Sequence, residues 1–134
     1  MSDYYPTEQY QQDQILGWKT STAVTKGLAA VLVAGNEVAV ASEAGGPSIG
    51  VIMDSDDAAG AYVGVLCGPA RKVVIAGAAF SDAAYLANDS GGKFVTATSS
   101  DIVLAQALGA SGGANAEVLV FLFAPGQNTF AEMS

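Results

Sequence analysis

The sequence predicts an all-β fold, a small barrel or sandwich, on three observations. After Lys26 the chain divides into short apolar runs cut by Gly, Asn, Asp, Ser and Pro at intervals of about 8–12 residues, the spacing of all-β domains. Helix signals are poor throughout. Several runs are continuous rather than alternating, as in Val118-Leu119-Val120-Phe121-Leu122-Phe123, and such a run predicts a strand buried on both faces, inside a small barrel or against another subunit.

Taken in order, the first element is not a strand. Met1–Trp18 gathers Tyr4, Tyr5, Tyr10 and Trp18 among Gln9, Gln11, Gln12 and Gln14 without the alternation of a sheet, and reads as an extended N-terminal arm over 1–18. A single β domain is expected over 19–134. Leu28–Val33 is a candidate strand because it is apolar and stops at Gly35-Asn36; Glu37–Ala41 follows and ends at Gly45-Gly46-Pro47. Ser48–Met53 runs into the polar loop Asp54–Gly60, and Ala61–Cys67 is halted by Gly68-Pro69. Arg71–Ile75, Ala83–Ala87 and Phe94–Ala97 come next, the last two separated by Asn88–Gly92. Ile102–Leu108 and Glu117–Phe123 close the series around Gly109–Asn115.

The elements repeat. A shift of 55 residues sets Ile49–Cys67 against Leu104–Leu122 without a gap, each reading strand, small polar loop, strand. The same shift puts Ala29-Ala30-Val31 on Ala84-Tyr85-Leu86 and Val40 on Val95, with identities at Ala61/Ala116, Val63/Val118 and Val65/Val120. Two pseudo-repeated β-hairpin units, 27–67 and 82–123, are therefore expected around Gly68–Ala79.

Composition bounds the function. The 134 residues suit one domain and leave no room for separate cofactor and substrate domains. Alanine supplies 25 of them, so the core gains less per side chain than its apolar share suggests, and subunit association is expected to add the remainder. With 13 Asp and Glu against 5 Lys and Arg, the net charge of −8 repels nucleic acid and anionic lipid. There is no histidine and one cysteine, which removes His general bases, Ser-His and Cys-His dyads and any internal disulfide. The N-terminus lacks the basic start and apolar stretch of a signal peptide, and the longest apolar run, Leu28 to Ala34, is far short of a bilayer span, so a soluble protein of a reducing compartment is expected.

Few motifs carry chemistry. Asp54-Ser55-Asp56-Asp57 has the Asp-x-Asp spacing of hard-oxygen cation loops, but the EF-hand positions fall on Ala59 and Val65, so it reads first as a solvated turn. Asp89-Ser90-Gly91 has the triplet of homodimeric aspartic proteases; between Asn88 and Gly92 it is also ordinary hairpin chemistry. Cys67 beside Arg71 and Lys72 reads as a buried inert thiol, and Arg71-Lys72 as a solvent-facing pair or a contact for an acidic partner. No enzyme is expected.

From Gly27 to Phe123 the sequence resembles small tailed-phage capsid decoration, or cement, proteins. The resemblance sits in Gly35-Asn36-Glu37-Val38-Ala39-Val40-Ala41, then Ser48-Ile49-Gly50-Val51 and Tyr62-Val63-Gly64-Val65-Leu66; it recurs in weaker form in Gly91-Gly92-Lys93-Phe94-Val95-Thr96-Ala97 and Val103-Leu104-Ala105. The second half has Leu104-Ala105 where the first has Ile49-Gly50. The resemblance implies a non-catalytic virion protein without cofactor or metal, often trimeric, made in the host cytoplasm and bound between major capsid proteins on the outside of the head. A terminal arm is common in that family, and Tyr4, Tyr5, Tyr10 and Trp18 are the expected contact anchors, since large aromatics dominate interface energies. The competing reading is a tail-fibre or surface β-module that presents a carbohydrate or other ligand site on Asp54–Gly60 and Gly109–Asn115.

Overall fold

A computed structural model describes residues 8–125 and 128–133 of the protein, and it is all-β, as the run spacing predicts. The first five strands are β1 (Ile15–Thr20), β2 (Ala29–Val33), β3 (Glu37–Val40), β4 (Gly50–Ile52) and β5 (Tyr62–Leu66), which close into a barrel in the order β1-β3-β2-β4-β5. The next five are β6 (Ala70–Ile75), β7 (Tyr85–Asn88), β8 (Phe94–Thr96), β9 (Ala105–Ala107) and β10 (Glu117–Leu122), in the order β6-β10-β9-β7-β8. A single parallel bridge, Ala76 to Phe94, brings the two ends of this second sheet together. We call the two units barrel 1 and barrel 2. A short helix, α1 (Phe130–Met133), ends the chain's described part.

The barrels share one connectivity, strand for strand, but not one fixed shift. Ala30↔Val40 in barrel 1 maps onto Leu86↔Thr96 in barrel 2, an offset of 56, whereas Ile52↔Val65 maps onto Ala107↔Val120, an offset of 55. The missing residue lies in the loop after β8, so Ala29-Ala30-Val31 stands in the place of Tyr85-Leu86-Ala87 rather than of Ala84-Tyr85-Leu86. A one-residue slip inside a strand would turn its apolar face outward; a loop absorbs it without that cost. Loop hydrogen bonds follow the same correspondence: Val24 and Asp56 exchange two main-chain bonds in barrel 1, as Phe80 and Ser111 do in barrel 2. Backbone conformation follows too, with positive φ at Gly27 and Ala83 and again at Gly60 and Asn115.

Strand β1 corrects the expected arm. Leu16, Trp18 and Thr20 alternate with Gly17 and Lys19, and this alternation, masked in the sequence by the glutamines before it, lets residues 15–20 pair with both β3 and β5. Trp18 packs against the interior of barrel 1, where Val24, Ala30, Val38, Ile52, Val63 and Val65 are buried. The opposite face of the same strands belongs to a larger core: Ala29, Val51 and Leu66, all 0% exposed, pack with Val74, Leu86, Phe94 and Val120 of barrel 2.

Strand β4 is therefore buried on both faces, because Ile52 fills barrel 1 and Val51 meets barrel 2. Strand β10, the one expected to be so, is not. Its burial alternates: Val118, Val120 and Leu122 point inward, while Phe121 on the other face is 36% exposed. Nothing in the described chain covers that face fully, so the continuous apolar run does not translate into double burial.

Main-chain hydrogen bonds border this shared core. Ala29 N–H donates to Gly92 O (2.9 Å), Ile75 N–H to Gly27 O (3.0 Å), Gly45 N–H to Asn88 O (2.9 Å) and Ile102 N–H to Gly45 O (2.9 Å). Gly92 must be glycine here, since its φ is +80° and a Cβ would run into the Val40 side chain.

Candidate functional site

The segment before β1 is held to the edge of β6. Gln9 and Arg71 exchange two main-chain hydrogen bonds (3.0 and 2.9 Å), the Glu8 carboxylate accepts from Val73 N–H (3.0 Å) and from Lys72 Nζ (2.7 Å), and farther along Ile75 N–H finds Gly27 O. Strand β6 pairs with β10 on its other side, with Arg71 opposite Phe121. The exposed edge is thus closed by a backbone, a carboxylate and a carbonyl in turn, which removes a template for unwanted strand pairing. Gln14 completes the attachment, its side-chain amide donating to Cys67 O (3.1 Å) and Pro69 O (2.6 Å).

Glu8 sits at a cleft of about 490 Å³ between the barrels, bordered by Lys26, Ser55, Lys72 and Glu117. Partial burial raises the Glu8 pKa, but the Lys72 and Val73 hydrogen bonds, with the charges of Lys72 and then Lys26, outweigh it and hold the carboxyl below its usual value. The Lys72 side chain is only 11% exposed, and Glu8 is its ion-pair partner at 2.7 Å. Two carboxylates, Glu8 and Glu117, and two amines, Lys26 and Lys72, border the cleft, so its lining is balanced in charge. Sequence reading left Lys72 facing solvent or an outside partner; its partner lies 64 residues away in the chain, and no local pattern signals it.

Tyr4 and Tyr5 lie outside the described residues. Tyr10 is 36% exposed just after Gln9. Trp18, expected as an arm anchor, is instead a barrel residue, and its indole N–H is buried without a hydrogen-bond partner. Asp54 and Asp56 serve the loop, accepting from Gly64 N–H and Ala58 N–H (3.0 Å each). Among the described residues no group of three or more Asp, Glu or Cys is placed to hold a metal ion. Asp89 accepts from Gly91 N–H (2.8 Å) and Lys93 N–H (2.9 Å), closing the β7–β8 turn. Cys67 is half-buried, and burial pushes its thiol pKa up.

Missed by sequence reading was the outer face of barrel 2. Leu119 and Phe121 of β10 look outward beside Leu108 and Gln106, Phe121 meets Phe123 edge-on at 5.5 Å, and Tyr85 contacts both Phe123 and Phe130. The run Val118–Phe123 carried the signal, but a run with no polar residue does not say which face is open.

Fold and site together define an all-β protein of one closed five-stranded barrel and one five-stranded sheet whose ends meet at a single bridge, with a pinned N-terminal segment and an apolar outer face. No model of a known protein family matches the chain, and no curated protein matches it.

Proposed function

We propose that this is a structural virion protein, a cement protein that binds the outer surface of an icosahedral phage head between major capsid proteins, associates with itself as a homotrimer, and stabilises the mature shell. The observation that carries the reading is the anchored root of the N-terminal segment. Glu8 and Gln9 are fixed on β6 while Tyr10 beside them stays open. The residues before that root, Tyr4 and Tyr5 among them, are the proposed contact anchors together with Tyr10, since aromatic contacts carry much of an interface's energy. The resemblance of 27–123 to decoration proteins supports the same reading. Binding many copies to the assembled shell and not to its dissociated subunits stabilises the shell by mass action, and each arm adds a second point of attachment.

The test is co-sedimentation with emptied phage heads. The full chain is expected to sediment with heads, and a chain lacking residues 1–7, which keeps the Glu8 anchor and both barrels, is expected to lose most of that binding. A full chain that stays in the supernatant at every head concentration overturns the proposal. Tyr10→Ala is expected to weaken binding without lowering stability, whereas Trp18→Ala is expected to destabilise barrel 1, which its indole packs against.

A further inference from the structure

The outer edge of β6 and the turn leading into it are covered by three pieces of chain, and the three are fastened very differently. Gly27, whose carbonyl receives Ile75 N–H (3.0 Å), is itself tied down, since its own N–H donates to Ile52 O (2.9 Å). Gln14 is tied at three points: its carbonyl receives Cys67 N–H (3.0 Å), and its side-chain amide donates to Cys67 O and Pro69 O. Between them, Glu8 and Gln9 have the two main-chain bonds with Arg71 and the carboxylate bonds to Val73 N–H and Lys72. Gln9, Tyr10 and Gln11 are exposed and Glu8 is half-buried, so this stretch places no side chain in a core. A segment held by a few polar contacts opens at a fraction of the free energy needed to unfold the core. The strongest of these contacts is the charge-assisted pair with Lys72, and protonation of Glu8 removes the charge from its acceptor.

We infer that residues 8–11 are a releasable strap, which leaves β6 as one unit when Glu8 is protonated, while both barrels stay folded and the chain stays pinned from Gln14 onward. Its neighbours on the edge set its extent. Release frees the amides of Gln9, Arg71 and Val73, and it spares those of Cys67 and Ile75, whose acceptors belong to Gln14 and Gly27. The charged groups around the carboxylate are Lys72 of β6, Lys26 in the β1–β2 loop and, bordering the same cleft, Glu117 of β10. Partial burial favours the neutral carboxyl, but the bonds from Lys72 and Val73 and the charges of Lys72 and Lys26 outweigh it. The strap is therefore closed above the ordinary glutamate value of about 4.3 and opens as the pH falls through the lower native one. On opening, the first pinned residue shifts from Glu8 to Gln14, which changes how far the N-terminal segment reaches. The inference needs neither a shell nor self-association, and it is tested on the protein alone.

The experiment is amide hydrogen exchange on the full chain, resolved residue by residue by NMR and corrected for the pH dependence of the intrinsic rate. Trp18 and Val63, paired inside barrel 1, report whether the fold is intact. In the wild type, protection at Gln9, Arg71 and Val73 is expected to fall together, by about fivefold or more, between pH 6 and the lowest pH at which Trp18 and Val63 keep theirs. Protection at Cys67 and Ile75 is expected to hold. Glu8→Gln carries an uncharged side chain at every pH, so its three strap amides are expected to exchange faster already at pH 6. No acid step is expected to remain in that variant, which separates the part of Glu8 from that of Glu117. A response at Val73 alone overturns the inference, since only one side-chain bond is then lost. It is equally overturned if all five amides move together with Trp18 and Val63, because the strap then has no opening of its own. Unchanged exchange in Glu8→Gln at pH 6, or an acid step that persists there, also overturns it.

Discussion

Barrel 1 closes on itself and barrel 2 needs help. In barrel 1 the seam between first and third strands is a parallel pairing, Lys19 with Glu37 and Thr20 with Val38. In barrel 2 the equivalent seam keeps one bridge, Ala76 to Phe94, and the rest of the β6 edge is taken by Glu8, Gln9 and Gly27. The same connectivity thus ends in a self-sufficient unit and in one completed by pieces of chain that precede it. The difference gives the N-terminal segment a structural role at Glu8 and Gln9.

The largest expected effect tests whether the barrels are energetically separate at all. Phe94 and Ile52 are each 0% exposed, one in the shared core and one inside barrel 1. Phe94→Ala is expected to cost about 3–5 kcal/mol and Ile52→Ala about 2–5 kcal/mol in denaturant unfolding, both by lowering a single transition. Two transitions, with each substitution moving only one, would break the comparison into two independent domains.

A smaller effect compares equivalent turns. Gly92→Ala is expected to cost about 1–2 kcal/mol for the left-handed backbone alone, and more because the methyl group meets Val40. Asn36→Gly, at the matching position with φ of 60°, is expected to stay within about 0.5 kcal/mol by the same measurement. An equal loss at both would mean that the turn, and not its contact with barrel 1, sets the cost.

The smallest effect concerns the seam itself. Glu8→Gln is expected to cost about 1 kcal/mol and to speed hydrogen exchange at Arg71 and Val73 more than at the Trp18–Val63 pairing of barrel 1. The pH dependence has a definite sign. The Glu8 pKa is lower in the folded chain, so its contribution is fully present above the ordinary glutamate value of about 4.3 and fades as pH falls through the native one. In Glu8→Gln that part of the acid sensitivity is expected to vanish; an unchanged acid profile would place the sensitivity elsewhere.

Much of this fold was legible because its runs are short and well punctuated. Every strand from β2 to β10 overlaps an apolar run that stops at a Gly, Pro, Asn or Asp turn. Strand β1 was hidden because only Trp18 and Thr20 turn into the barrel while Leu16, Gly17 and Lys19 are exposed, and Trp18 looks like an anchor when its destination is unknown. The repeat was half legible for a geometric reason. A shift of 55 puts β4 and β5 in phase with β9 and β10, where Val63/Val118 and Val65/Val120 match, but it sets Val38 on Lys93 although the structure sets it on Phe94. Alternating strands compared one residue out of phase pair inside with outside, and the likeness disappears. The Glu8–Lys72 pair and the open face of β10 depend on contacts between distant parts of the chain, which no local pattern encodes.

Beside the shared apolar core, the joint between the barrels is bordered by peptide groups: four N–H donors meet four carbonyl oxygens across it. Peptide groups are common to every residue but proline's missing donor, so that border has little to lose when its own side chains drift. Substitution can rewrite the exposed rim and leave the angle between the barrels where it was, provided that the buried core residues keep their size and Gly92 stays small. The shape is in this sense more heritable than the spelling.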